Sequence, residues 1–213
     1  GDVYKRQATE EAHEKQTLEE VQRNAMKINS LIHQVLNFNR IEDNEDSLLI
    51  LSRIELVSFS HSLFSVYEED KRLTFLFETN KAKIYADMDA IKLGVILDSL
   101  LSNAVKFTPD GGSIRLSLFY REETGLVDIC VSDTGSGIPP RDIPYIFQRF
   151  FQSPHSGNKE GTGIGLYLVK TYTELHGGHI TGVTSEEGKG TSVGLNIPVI
   201  AVEEEEIPVT QEK

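Results

Sequence analysis

The chain has 213 residues, 38% of them hydrophobic, which suffices for one good core and a helical appendage but not for two full domains. A formal net charge of -12 disfavours nucleic acid and anionic membrane as partners, because both reward clustered Lys and Arg. The single cysteine, Cys130, leaves no disulfide framework or cysteine metal site, and no apolar run approaches the roughly 18 residues of a bilayer span, which predicts a soluble, cytoplasmic fragment.

Residues 2–7, Asp-Val-Tyr-Lys-Arg-Gln, look like the translated end of a sequencing adaptor. Residues 1–7 are therefore set aside as a scar, and the natural N-terminus is expected to be missing. Over residues 8–44, Leu18, Val21, Ala25, Ile28, Ile32 and Val35 recur in steps of three and four. Glu19, Glu20, Gln22, Arg23 and Lys27 take the other face, which predicts one long amphipathic helix in need of a partner helix. A globular domain is expected over 52–199. It opens with a strand at 54–57 and a helix ending near Lys71, followed by strands at 73–77 and 83–86.

Asp89 can cap a helix that carries Ile91 to Val105 and stops before Pro109. The alternating runs Ile114/Leu116/Leu118 and Val127/Ile129/Val131 predict two half-buried strands joined by a hairpin through 122–125, with Cys130 packed as a small buried side chain. A loop covers 133–140 and a short helix 143–150, and the polar stretch 152–160 has nothing to bury and should be mobile. Gly161, Gly163 and Gly165 then bring bare backbone to a helix N-terminus, a place that attracts phosphate. Strands at 179–184 and 191–197 close the domain, and 200–213 reads as an acidic tail or linker.

Four segments, Leu100 to Pro109, Asp133 to Pro139, Phe147 to Phe150 and Gly161 to Leu166, closely resemble in order and spacing the N, G1, F and G2 boxes of sensor histidine kinases. His176-Gly177-Gly178-His179-Ile180 and Gly188-Lys189-Gly190-Thr191 fit the same family. The resemblance implies an α+β fold: a two-layer α/β sandwich with a mixed sheet covered by helices on one face, the Bergerat ATP-binding fold of the GHKL group, preceded by the second helix of a dimerisation hairpin. It implies nucleotide contact by Asn103, Lys106, Phe107, Asp133, Gly135, Gly137, Ile138, Arg149, Gly161, Thr162, Gly163, Ile164, Gly165, Leu166 and Thr191. ATP and Mg2+ are the implied ligands, with Asn103 as the metal ligand and Asn103 and Lys106 as the catalytic pair.

These residue types suit those roles. Asn103 and Lys106 lie three apart on one helix face, so an amide oxygen and an ammonium project into the same cleft, and a hard Mg2+ ion takes oxygen ligands. The Asp133 carboxylate accepts hydrogen bonds only, which selects the exocyclic amino group of adenine over the carbonyl of guanine. Phe147 and Phe150 are expected to pack the lid base onto the core, while Arg149 can reach phosphate or stay solvated.

Two departures stand out. Ser99 occupies a position where hydrolytic relatives carry a water-activating Glu, and Gln152 one where some kinases place a phosphate-contacting Arg. The acceptor histidine is expected to be absent, since His13-Glu14-Lys15-Gln16-Thr17 lacks the family's proline and lies too near Asn37; His33 and His61 read as solvated helix positions.

The resemblance further implies a homodimer in the intact protein, a phosphoacceptor helix and a response-regulator receiver as partners, and a parent anchored in the bacterial inner membrane. A GHKL-type serine kinase or ATPase, or a nucleotide-binding regulatory module, are the alternatives.

Overall fold

The computed structural model describes residues 48–154 and 161–199. The helix expected over 8–44, residues 155–160 of the polar stretch and the tail from residue 200 lie outside the described residues. In chain order the elements are β1 (Ser52–Glu55), α1 (Leu56–Tyr67), β2 (Thr74–Thr79), β3 (Tyr85–Met88), α2 (Ala90–Phe107), β4 (Ser113–Arg121), β5 (Leu126–Asp133), a 3-10 turn (Ile143–Tyr145), α3 (Gly165–Leu175), β6 (His179–Glu186) and β7 (Gly190–Pro198).

Side-chain alternation decides the sheet. Ile114, Leu116 and Leu118 of β4, Val127, Ile129 and Val131 of β5, and Val193, Leu195 and Ile197 of β7 all point to one buried face. β5 pairs antiparallel with both β4 and β7, β6 lies outside β7, and β2 runs parallel to β4, giving a mixed sheet in the order β2-β4-β5-β7-β6. β1 and β3 form a separate antiparallel pair. The three helices cover the apolar face, α2 packing against both α1 and α3. This is the expected two-layer sandwich. Among the described residues no helix is long and apolar enough to cross a membrane.

Local chemistry fixes the helix ends. Glu55 caps α1 by accepting from Val57 N and Ser58 N, and also accepts from Ile84 N, which ties the helix start to the chain before β3. Phe64, fully buried, meets Phe75 and Phe77 of β2 with ring centroids 5.7 and 5.8 Å away. Tyr67 Oη donates to Asp98 Oδ1 at 2.5 Å and links the end of α1 to α2. At the end of α2, Thr108 Oγ1 donates back to Ala104 O at 2.6 Å, and Pro109 cannot continue the helix.

The start of α2 is more elaborate. Asp89 Oδ1 accepts from Ile91 N and Lys92 N, while Oδ2 accepts from Ile50 N and pairs with Lys92 Nζ at 3.2 Å. Asp89 N–H donates to His176 Nε2 at 3.2 Å, and His176 Nδ1–H donates to Tyr172 O at 2.7 Å. Burial pushes the Asp89 carboxyl up, but the N–H groups of Lys92 and Ile50 and the Lys92 ammonium outweigh it and hold the group below its ordinary value.

Some expectations shift. The first strand ends at Glu55 because the residues from Leu56 onward are already helical, and that helix stops at Tyr67, short of Lys71. The helix expected over 143–150 is only the 3-10 turn, with Pro144 inside it and Phe150 at φ 59°, a left-handed backbone that no helix accommodates. Cys130 is half-buried rather than buried. Residues 127, 129 and 131 point into the core, so Cys130 falls on the outer face, beside Ser192 Oγ at 3.2 Å.

Candidate functional site

Ser99, Asn103 and Lys106 succeed one another at helical spacing on α2, and the segment 161–165 runs along that stripe. Ser99 is buried, and its Cβ and Oγ lie 3.6 Å from where a Cβ on Gly165 would stand. Seven residues on, Lys106 Nζ lies 3.0 Å from the corresponding point on Gly161 and 4.9 Å from the centroid of the Phe107 ring. A side chain at Gly161 would press on the ammonium, so the bare backbone leaves Lys106 room. Asn103 is half-buried, and its side-chain amide has no protein hydrogen-bond partner among the described residues.

The loop after β5 forms the opposite wall. Asp133 Oδ1 accepts from Gly135 N at 2.8 Å and Thr191 N at 3.2 Å. Burial raises the Asp133 carboxyl above its ordinary value, and those two N–H groups only partly offset the rise. A Cβ on Gly135 would stand 2.6 Å from Phe107 O and 2.7 Å from Asp133 Oδ1, so only glycine lets the loop pass so close to the end of α2. Ser136 N donates to Phe107 O at 3.1 Å and fastens the loop there. Gly137, at φ 72°, lies against the Glu186 backbone, and Ile138 N donates to Ser185 Oγ at 2.7 Å.

The third wall is the chain either side of residues 155–160. Phe150 N donates to Gly163 O at 3.0 Å, and Gln152 Nε2 donates to Gly161 O at 2.7 Å. Gly163 has φ 70°, and a Cβ there would stand 2.6 Å from the Phe150 carbonyl carbon. Ile164, the residue before α3, offers no side-chain cap, and Thr162 Oγ1 accepts from Ile164 N at 3.3 Å. The first N–H groups of α3 thus form an anion-favouring helix start, with Leu166 half-buried in its first turn.

The fold therefore brings Asn103, Lys106, Phe107, Asp133, Gly135, Gly137, Ile138, Thr191 and the run 161–166 around one cleft. Arg149 is exposed. It is docked on Tyr167, with Nη2 donating to Tyr167 Oη at 2.9 Å and the guanidinium carbon 4.9 Å from the ring centroid. Phe150 departs from expectation, being 60% exposed; Ile146 is buried in its neighbourhood instead, because the left-handed turn at Phe150 directs that ring outward. His61 is exposed on α1, edge-on to Phe77 at 5.0 Å.

The sequence reading missed two residues. Ser185 bonds Ile138 N, Gly190 O and the Thr191 hydroxyl at once, and a polar residue at an inward position of β6 was the available signal. Tyr167 carried no signal, since an aromatic at helical spacing reads as packing.

Among the described residues no group of three or more His, Cys, Asp or Glu could hold a metal ion. The Asn103 amide, with no protein hydrogen-bond partner among the described residues, could give a hard cation one oxygen beside nucleotide phosphates and water.

Residues 88–201 match the family described as "Histidine kinase-, DNA gyrase B-, and HSP90-like ATPase". The sensor histidine kinase WalK of Bacillus subtilis is 31% identical over 172 residues, covering 79% of this chain and 28% of WalK. Full-length ShkA in complex with AMPPNP superposes with a TM-score of 0.69 at 26% identity, covering 82% of this chain and 36% of ShkA. The mycobacterial sensor histidine kinase MprB gives 0.61 at 25% identity, covering 70% of this chain and 98% of that one. The chain thus spans under a third of WalK's length.

Proposed function

The chain belongs to the histidine kinase-, DNA gyrase B- and HSP90-like ATPase family and carries its ATP-binding catalytic domain, and from that premise we propose that it is the catalytic part of a sensor histidine kinase. In the intact protein the domain transfers the γ-phosphoryl group of ATP to a histidine nitrogen. The bond to the ADP oxygen breaks as the P–N bond forms, and the group then passes to an aspartate of a response-regulator receiver.

One observation carries this reading. Both backbone N–H groups that bond Asp133 go to Oδ1, which fixes the carboxylate so that Oδ2 can accept from the exocyclic amine of adenine. With the base there, the phosphates extend towards Lys106 and the start of α3. Phosphoryl transfer asks for positioning and charge stabilisation, and a lysine beside a glycine-lined helix start supplies both. Asn103 would hold Mg2+ through its amide oxygen, and a bound Mg2+ neutralises charge on the phosphates. Ser99, a hydroxyl, cannot act as a general base for water, which supports transfer to a side chain over hydrolysis.

The N-terminal portion, 8–44, fits as the second helix of the dimerisation hairpin, with a homodimer, a phosphoacceptor helix and a membrane-anchored parent completing the proposal. The experiment is Mg2+-dependent ATP binding by calorimetry, followed by incubation with radiolabelled ATP, alone and with a histidine-bearing hairpin. The chain should bind ATP, leave itself unlabelled and label the hairpin. Binding unchanged in both Asn103→Ala and Asp133→Ala defeats the site, and label on His13 defeats the missing acceptor. Steady phosphate release without a histidine substrate favours an ATPase.

A further inference from the structure

We propose that Ser185 is a positioning residue that holds the hydroxyl proton of Thr191, so that Thr191 does not donate to Asp133 and the carboxylate keeps an oxygen for the exocyclic amine of the base. The inference rests on the ATP site proposed above. Three strands set the residues in one row. Ser185 of β6 is the register partner of Thr191 of β7, and Thr191 is that of Asp133 of β5. Such partners project to the same side of a sheet with Cβ atoms about 5 Å apart. Thr191 N already donates to Asp133 Oδ1 at 3.2 Å. The Thr191 hydroxyl therefore stands between two acceptors, the Ser185 oxygen and the Asp133 carboxylate.

Counting protons decides which acceptor it serves. Ser185 Oγ lies 2.7 Å from Ile138 N, 3.1 Å from Gly190 O and 2.8 Å from Thr191 Oγ1. A hydroxyl has one proton to give and two lone pairs to offer. An amide N–H only donates and a carbonyl only accepts, so Ser185 accepts from Ile138 N–H and gives its own proton to Gly190 O. The contact with Thr191 falls on the second lone pair, and Thr191 is the donor. Asp133 is thereby left with two backbone N–H groups, both on Oδ1, and its carboxyl stays above the ordinary value. Without the Ser185 oxygen the Thr191 proton turns to Asp133, because a hydrogen bond to a charged acceptor is about twice as strong as one between neutral groups. It then competes with the amine of adenine for the carboxylate.

Two measurements on the whole chain test this in Ser185→Ala, Ser185→Thr, Thr191→Val and the Ser185→Ala/Thr191→Val double variant. The first is the titration of the Asp133 carboxyl in nucleotide-free protein, followed by carbon NMR. Ser185→Ala should move it to lower pH, since a donated hydrogen bond favours the charged form. Ser185→Thr keeps the hydroxyl and should leave it at the wild-type position, and in Thr191→Val, which has no proton to release, adding Ser185→Ala should not move it. The second is calorimetric titration with MgATP. Ser185→Ala should weaken binding about tenfold in the wild-type background and about twofold in Thr191→Val, because one residue acts through the other.

An Asp133 titration that Ser185→Ala leaves in place, or equal losses of ATP affinity in the two backgrounds, overturns the proposal and leaves Ser185 a brace for the loop after β5. If Ser185→Ala does not fold, Ser185→Cys, whose sulfur is a weak acceptor, carries the same test. Wild-type chain that fails to bind ATP, or Asp133→Ala that binds it normally, defeats the site itself. The titration is made without nucleotide, so that failure is distinguishable from failure of the Ser185 role.

Discussion

The two ends of α2 are built on opposite principles. At the N-terminal end Asp89, Lys92 and His176 satisfy one another, and the Asp89 and Lys92 side chains are only 4% and 7% exposed. At the C-terminal end Asn103 has no protein hydrogen-bond partner among the described residues, and the Lys106 ammonium lies 4.9 Å from the centroid of the Phe107 ring. A buried polar group without a partner costs about 1–3 kcal/mol, so an end that leaves donors and acceptors for a ligand needs its partners half-exposed and its stability supplied elsewhere. Here the sealed end supplies it, and one 18-residue helix transmits it to the cleft.

The sharpest way to break that contrast is Asp89→Ala. Removing it strips the helix cap and leaves Lys92 as a buried charge beside the Tyr172 ring, which should cost about 3–5 kcal/mol in urea unfolding. A loss under about 1 kcal/mol would mean the sealed end anchors nothing.

Next in size is Asp133→Asn, on the ligand side. The Asp133 carboxyl is raised by burial, so its stabilising contribution is present at low pH and lost as pH rises through the raised value; ionisation at neutral pH therefore opposes folding. Asparagine keeps an acceptor for Gly135 N and Thr191 N but can turn a donor towards adenine. ATP binding should fall by about two orders of magnitude while the neutral-pH thermal midpoint rises. A midpoint that falls together with affinity would erase the distinction between the two ends.

Gly163→Ala tests the cleft at smaller scale. The φ of 70° and the approach to the Phe150 backbone predict about 1–2 kcal/mol of strain. Because that strain displaces the start of α3, nucleotide affinity measured by titration should fall more than folding stability does. Comparable losses in both would make the glycine a packing device.

The smallest effect is a pH dependence at the sealed end. Burial, aided by the Lys92 charge, holds His176 below its ordinary value of 6.5, so its contribution is intact above that pH and drains away as pH falls below it. Asp89, held low, contributes above 3.8 and loses its contribution only in stronger acid. Asp133, raised by burial, shifts stability the opposite way, so between pH 6.5 and 5 the unfolding midpoint should fall relative to that of His176→Gln. ATP affinity normalised to folded protein should follow the same pH course in both proteins.

Much of this was legible in the chain itself. Alternation along 114–118 and 127–131 gave the central hairpin, Asp89 and Pro109 bracketed α2 to the residue, and the spacing of Asn103 and Lys106 put both on one face. The boundaries that slipped did so where a single local feature won, as at Pro144 and at Phe150, whose left-handed backbone carries no mark in residue type. Cys130 was misjudged because alternation tells which residues share a face and leaves open which face is covered.

The sequence by itself determined the residue types of the cleft, their order, and the glycines that a close approach of backbone demands, because those depend on spacing and on missing side chains. Only the tertiary structure decided what each polar group is worth. Asp133 is raised because strands distant in sequence bury it, Asp89 is lowered because Lys92 and the backbone of Ile50 converge on it, and Arg149 hydrogen-bonds a tyrosine 18 residues away. Desolvation and orientation are properties of neighbours in space, and the chain names those neighbours only when it folds.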